Sequence, residues 1–439
     1  MMAGVQALSV WMNGERVGSW FNRNGVHELV YDEQWAASPR GRPLSLSLPI
    51  VPGNVPHRGD VVRTFFENLL PDRPDVRNRI RDRFRAASSK AFDLLGEIGR
   101  DCVGAVQLLH PDEEPPIVQT IEGIPLSDDA VARHLEAASG LRLPGFDFED
   151  FRISLAGAQE KTAFLWHRET WQKPLGATPS THIFKLPLGV IGGTSTFGAG
   201  SIENEWLCSK ILAAYGLPVA ETQMARFGTM QALIVNRFDR RLSRDGRWWI
   251  RLPTEDFCQV KGLPSEKKYE ADGGPGIDAI LQVLAGSVEP EKDGENFLKA
   301  QIVFWLLAAP DGHAKNFSIF LGPQGTYRLA PLYDVLSVYP WMGKGVDLLS
   351  AQKLKMAMAV RSKNTHYRWN TILRHHWEET ARRNGLSHVV DTVIPELIER
   401  TPQIVSTVRA ELPPDFPEHI ASSIFDGLEG AAKRLVLAR

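Results

Sequence analysis

One change of hydrophobic period divides this chain. From residue 118 to about 255 the apolar residues fall into short strand-like runs, at Lys161 to Trp166, His182 to Leu186 and Leu233 to Phe238. Beyond 275 they recur at helical spacing in long amphipathic stretches, at 277–285, 296–309, 367–384, 388–411 and 418–437. A strand hides alternate residues and a helix hides one stripe, so the two halves require different architectures. The expected fold is α+β, with a β-rich lobe followed by a helical lobe. One helix interrupts the β-rich part, Asn204 to Tyr215, with Gly216 and then Pro218 as its stop signal.

Ahead of both lies a mixed α/β segment. Val10 to Met12, Asn13-Gly14 and Arg16 to Gly18 read as a hairpin, because Asn-Gly supplies the positive φ angles of a tight turn. Leu44, Leu46 and Leu48 alternate with Ser45 and Ser47, which predicts a strand with one buried face. Residues 61–70 and 75–84 read as helices. His110 to Pro116 mixes prolines with solvated acids and refuses regular structure, so the first boundary falls there. The expected domains are 1–117, 118–270 and 271–439. Gly192 to Ser201 is too small and polar to pack, which predicts a mobile loop.

Composition narrows the function classes. Fifty Lys and Arg nearly cancel 52 Asp and Glu, so the surface as a whole is not built to grip nucleic acid or an anionic membrane. Cys102, Cys208 and Cys258 form no CxxC pair, which fits a reducing compartment, the cytoplasm, and no zinc ribbon. Ile302 to Ala309 is among the longest apolar runs, far below the roughly 20 residues of a membrane span. No export signal is expected.

The most informative segment is Asp311-Gly312-His313-Ala314-Lys315-Asn316-Phe317, with Asp334 following in apolar surroundings. Phosphoryl transfer from ATP needs a carboxylate to accept the hydroxyl proton, and an amide oxygen with a second carboxylate to hold Mg²⁺. Asp311, Asn316 and Asp334 match that division of labour at the Asp-x₄-Asn spacing of kinase catalytic loops. An Asp or Asn capping a helix start would produce the same spacing. Lys185 sits inside an apolar strand-like run, where an ammonium requires an anion, or snorkels from an edge strand. Glu205 is its candidate partner. Ser154 to Thr162 is a small-residue loop that could cradle phosphate, although it matches neither glycine-rich consensus. His313 reads as a support of the catalytic loop, and His375-His376 lacks companions for a metal. Between 361 and 383 six basic residues face Glu378 and Glu379, either a solvated helix face or a phosphate-contact patch.

Read together, the blocks RPLSLSLP (42–49), FFENLLPDRP (65–74), FDLLGEIGRDCVGAV (92–106), RISLAGAQEKTA (152–163), THIFKLPLG (181–189), NRFDRR (236–241), KYEADGGPGI (268–277), DGHAKNFSIF (311–320) and LAPLYDVLS (329–337) resemble the HipA family. These are serine/threonine kinase toxins of bacterial HipBA toxin–antitoxin modules, and the resemblance spans nearly the whole chain. It implies a two-lobed protein-kinase-like fold with an extra N-terminal subdomain. It makes Asp311 the catalytic base, with His313, Asn316 and Tyr333 beside the nucleotide, and Asn316 and Asp334 holding Mg²⁺. Lys185 would contact ATP, and Ala156, Gly157, Ala158, Gln159, Glu160 and Lys161 would form the loop over its phosphates. Asn236, Arg237 and Phe238 would form the hinge for adenine, and Ser154 would be the autophosphorylation site. Arg382 and Arg383 would contact operator backbone beside a HipB-like helix-turn-helix antitoxin. The implied substrate is an aminoacyl-tRNA synthetase, glutamyl-tRNA synthetase first, whose phosphorylation halts translation and induces dormancy. Two positions depart from the family pattern: Asn236 replaces an acid, and Pro310 replaces a threonine before the catalytic aspartate. Two other readings stay open: a catalytically weak homologue acting as corepressor on DNA, and a small-molecule kinase of the aminoglycoside phosphotransferase type.

Overall fold

The computed structural model describes residues 6–139, 155, 159–188, 200–345 and 348–437. Its contacts divide into two units: residues 1–186, 225–267 and 319–327, and residues 187–224, 268–318 and 328–439. The N-terminal segment and most of the β-rich part therefore share one unit.

In that unit, strands Gln6–Met12, Glu15–Arg23, Val26–Tyr31, His57–Arg58 and Val106–Leu109 form a five-stranded antiparallel sheet. The expected turn at Asn13-Gly14 is present, and Asn24-Gly25 repeats it, both with positive φ at each central residue. Helices Asp60–Glu67 and Ala91–Ile98 bury their apolar stripes with the sheet around Leu8, Val10, Trp20 and Leu29. Trp20 stacks on Phe66 at 3.8 Å and meets Phe92 edge-on at 4.7 Å. The strand expected at 44–48 is instead a turn. Ser45 and Ser47 both donate their hydroxyls to the Gln259 carbonyl, at 3.1 and 2.7 Å, and Ser47 N–H bonds the Ser45 hydroxyl. Serine alternation mimics a strand, but its hydroxyls offer the backbone local partners that compete with a ladder.

A second sheet of this unit orders its strands as Thr222–Phe227 (from Ala225 on), Met230–Asn236, His182–Lys185, Lys161–His167, Thr170–Pro174 and Gly123–Pro125. The three expected strands are all present. Helix Asp128–Ala138 closes a core of Val131, Leu135, Phe164, Phe184 and Ile234.

The other unit is mainly helical, with helices Ser201–Ala214, Ile277–Leu284, Pro290–Leu306, Arg374–Arg383, Val393–Ala410 and Glu418–Leu437. Helix Ser201–Ala214 ends as its glycine requires. Gly216 takes φ +82°, its N–H bonds Ala213 O, and Leu217 N–H reaches back to Leu212 O. The helical stretch expected from 367 starts only at Arg374, because Thr365–Arg368 pairs with Lys355–Arg361 as a hairpin. That expected over 388–411 breaks at Thr392. Among the described residues no helix is long and apolar enough to cross a membrane. Gly192 to Ala199 lies outside the described residues.

Candidate active site

Helix Pro290–Leu306 is buried from Phe297 to Leu306 and delivers the chain to the Asp311 loop. Ala308 takes φ +45°, which ends the helix, and Pro310 follows with no N–H to continue it. The Pro310 carbonyl accepts from Ala357 N–H at 2.8 Å, so this residue is anchored through its oxygen. Gly312 can be nothing larger, since a β-carbon there would lie 2.6 Å from the Phe304 ring. The short turn Ala314–Asn316 has His313 at its cap position and no side-chain cap bond, so helix capping does not account for Asp311.

The loop brings most of the expected residues of this unit together. Asn316 is buried, and its Nδ2 donates to the carbonyls of Asp311 at 2.9 Å and of Asp334 at 3.3 Å. One amide thus ties the two acidic residues through their backbones. Asp334 takes φ +62°, a left-handed conformation that costs a β-carbon-bearing residue about 1 kcal/mol or more. The Asp311 side chain is 60% exposed, and Tyr269 Oη donates to its Oδ1 at 2.5 Å. His313 Nε2 stands 3.9 Å from Asp311 Oδ2, and its ring meets Tyr269 edge-on with centroids 5.0 Å apart. Burial holds the His313 imidazole below its ordinary pKa, against the opposing pull of Asp311. Its buried Nδ1 has no hydrogen-bond partner among the described residues, a deficit that a ligand can fill. The Tyr333 phenol donates to Lys315 O at 2.8 Å and pairs with Ser318 Oγ at 2.6 Å, so it braces the loop from behind.

The remaining expected residues lie in the other unit. Lys185 is buried on strand His182–Lys185, which is an interior strand, so snorkelling from a sheet edge does not explain it. Its antiparallel partner in register is Lys161. Residues directly opposite one another share a face of the sheet. Gln159 Nε2 donates to Leu186 O at 2.5 Å, while the Glu160 carboxylate pairs with Arg79 at 2.7 Å. Ser154, Ala156, Gly157 and Ala158 lie outside the described residues.

The three hinge residues differ sharply. Asn236 ends strand Met230–Asn236 and is exposed, and Phe238 is half-buried. Arg237 is buried, its N–H bonds Thr181 O at 2.9 Å, and its carbonyl accepts from Arg240 N–H at 3.1 Å. Successive residues of an extended strand aim their backbone groups at opposite edges, so Arg237 faces inward. Both backbone groups of Arg237 and its guanidinium are engaged within the protein, which leaves the backbones of Asn236 and Phe238 as the outward-facing part of the expected hinge. Arg382 and Arg383, at the end of helix Arg374–Arg383, are about half exposed. Arg382 pairs with Glu379 at 3.2 Å and Glu378 at 3.6 Å, and Arg383 pairs with Asp278 at 3.5 Å.

Asn316 and Asp334 are hard oxygen donors, the set that Mg²⁺ takes when substrate phosphates supply the rest of its shell. Among the described residues there is no cluster of three or more His, Cys, Asp or Glu that could hold a metal. Sequence reading missed Tyr269 and a buried ion cluster behind the hinge. The only signal for Tyr269 was its place in the block 268–277.

Comparison with known proteins follows the same lines. A family model described as the HipA-like C-terminal domain matches residues 153–406, and one described as the HipA N-terminal domain matches residues 8–109. A putative kinase of Sinorhizobium fredii, Y4mE, is 32% identical over 92% of this chain and 92% of its own length. The serine/threonine-protein kinase toxin HipA of Shewanella oneidensis is 25% identical over 88% of this chain and 84% of its own. The solved complex of Shewanella oneidensis HipA, HipB and operator DNA contains a chain that matches with a TM-score of 0.80 at 22% identity, covering 98% of this chain and 97% of that one. The fold is accordingly the α+β, kinase-like fold expected.

Proposed function

Because the chain belongs to the HipA family of serine/threonine kinase toxins, we propose that it transfers the γ-phosphoryl group of ATP, with Mg²⁺, to a protein serine or threonine as the toxin of a type II toxin–antitoxin module. The observation that carries the chemistry is the Asn316 amide bonded to the backbones of both Asp311 and Asp334. That bond commits the amide nitrogen, so the amide oxygen and the Asp334 carboxylate are the atoms that would hold Mg²⁺. Mg²⁺, when bound, neutralises charge on the phosphates.

The protein's own groups do the rest. Asp311, exposed and oriented by the Tyr269 phenol, accepts the proton of the attacking hydroxyl at a carboxylate oxygen. His313 offers its buried, unpartnered Nδ1 to the nucleotide. Lys161 and Lys185 hold the phosphates, and the backbone of Asn236 and Phe238 receives adenine. Ser154 is the autophosphorylation site. The substrate is an aminoacyl-tRNA synthetase, glutamyl-tRNA synthetase first, phosphorylated in the cytoplasm. A HipB-like antitoxin carries the toxin to operator DNA, where Arg382 and Arg383 meet the backbone.

One experiment tests the core of this reading. Wild type, Asp311→Asn and Ser154→Ala proteins are incubated with ATP and Mg²⁺ in a bacterial lysate, and intact mass and phosphopeptides are measured. Wild type should gain one phosphate at Ser154 and modify a synthetase. Asp311→Asn should do neither while still binding ATP, because it loses the proton acceptor and keeps the metal ligands. Phosphorylation by Asp311→Asn at the wild-type rate would overturn the assignment of the base.

A further inference from the structure

Behind the hinge lies a buried ion cluster. It holds the carboxylates of Asp101 and Asp239 and the guanidinium groups of Arg237, Arg240 and Arg251, all with side chains at most 6% exposed. Arg237 forks onto Asp239 at 3.0 and 2.9 Å, and reaches Ser180 Oγ and Cys102 O, each at 2.9 Å. Asp101 accepts from Ser180 N–H and Oγ–H at 3.0 and 2.6 Å and from Arg240 at 2.9 Å, with Arg237 and Arg251 each at 3.4 Å. Gly104 N–H donates to Asp239 Oδ2 at 2.7 Å, and Gly104 O accepts from Arg240 at 2.7 Å. A short stretch of the N-terminal segment, 101–104, therefore grips Arg237, Asp239 and Arg240, the residues that interleave with and follow the proposed adenine contacts.

We infer that Asp101 is a positioning residue for the nucleotide, acting through Arg237 to fix the backbone angle of Asn236 and Phe238; this rests on the kinase reading above. Arg237 is the pivot. Its N–H is bonded to Thr181 on the neighbouring strand and its carbonyl closes the turn to Arg240, so its guanidinium sets where residues 236 and 238 stand. Gly104 is held to glycine by φ +74° and by Thr254 O, which would lie 2.6 Å from a β-carbon. The N-terminal segment is thus part of the adenine-binding apparatus without touching adenine. A loss of hinge alignment weakens recognition of the base and leaves recognition of the phosphates intact.

The test compares two probes on the full chain by calorimetry in Mg²⁺: ATP, which uses hinge and phosphate groups, and inorganic triphosphate, which uses only the latter. Asp101→Asn should weaken ATP about tenfold, the worth of one good hydrogen bond, and leave triphosphate unchanged. Because a lone Asp101→Asn leaves an excess of buried positive charge and could fail to fold, Asp101→Asn combined with Arg251→Met keeps the cluster's net charge and should give the same selective loss. Parallel weakening of both probes would reduce Asp101 to a general structural residue and overturn the inference. Unchanged ATP affinity in the folded double variant would also overturn it. A wild type that bound neither probe would remove the kinase reading itself, and the inference with it.

Discussion

Arginine meets carboxylate in two places under opposite solvation. In the cluster of Asp101, Asp239, Arg237, Arg240 and Arg251 every side chain is buried and ion-paired, although the Nε atoms of Arg240 and Arg251 have no hydrogen-bond partner among the described residues. On helix Arg374–Arg383 the arginines are about half exposed: Arg382 pairs with Glu378 and Glu379, and Arg383 reaches Asp278 on helix Ile277–Leu284. A buried ion pair gains little over apolar packing when intact and is costly to break, because the surviving charge stays in a low dielectric. An exposed pair is easily broken, since water and salt replace it. The first arrangement fixes geometry, and the second keeps charge available to an incoming partner.

The largest expected effect breaks the sealed cluster. Asp101→Ala should cost about 3–5 kcal/mol of unfolding free energy in urea titration, whereas Glu379→Ala, whose partner Arg382 is itself half exposed, should cost about 1 kcal/mol or less. Equal losses in the two variants would erase the distinction.

A buried acid with no ion pair among the described residues sharpens the comparison. Glu255 is fully buried, accepts from Leu46 N–H at 2.9 Å, and has an Oε2 with no hydrogen-bond partner among the described residues. Burial, with the Asp256 charge adding to it, pushes its pKa from 4.5 up to about 8, whereas the arginines around Asp101 hold that carboxyl far below its ordinary range. The sign for Glu255 follows from proton counts. Between pH 4.5 and about 8 the folded state keeps a proton that the unfolded chain has released, so its contribution to stability falls as pH rises through that window. Glu255→Gln removes the titration. Urea midpoints measured from about pH 5 to about pH 9 should decline less in the variant, with the gap widest at the alkaline end. Parallel curves would mean that Glu255 is ionised in the fold and compensated like Asp101.

What could be read from sequence depended on how far apart the partners lie along the chain. The Asn13-Gly14 turn, the strand bearing Lys185 and the Asp311, Asn316 and Asp334 spacing are local patterns, and the fold keeps them. The Ser45 and Ser47 alternation was also local, yet it misled, because the hydroxyls found the Gln259 carbonyl far along the chain. Arg237 and Asp101 are separated by 136 residues, and Tyr269 and Asp311 by 42, so no periodicity could pair them. Nor does a run of three hinge residues reveal that its middle member turns inward. That needs the register of Asn236 against His182, with Arg237 bonded to Thr181.

The smallest effect on stability should come with a clear effect on binding. Arg382→Ala with Arg383→Ala removes side chains that are about half exposed, so the unfolding free energy should change by about 1 kcal/mol or less. If these side chains meet operator phosphates when the toxin rides on its antitoxin, each contact releases close to one counterion. The slope of log K against log salt for the complex should then shrink by up to about 2, with similar losses on different operator sequences. The acids already holding the arginines supply the opposite perturbation. Phosphate must displace Glu379 from Arg382, so Glu379→Gln should tighten the complex on DNA and leave stability nearly unchanged. Filter binding at several salt concentrations decides the matter: a double arginine variant with wild-type affinity and slope would make this helix end a solvated face, its ion pairs serving neither stability nor recognition.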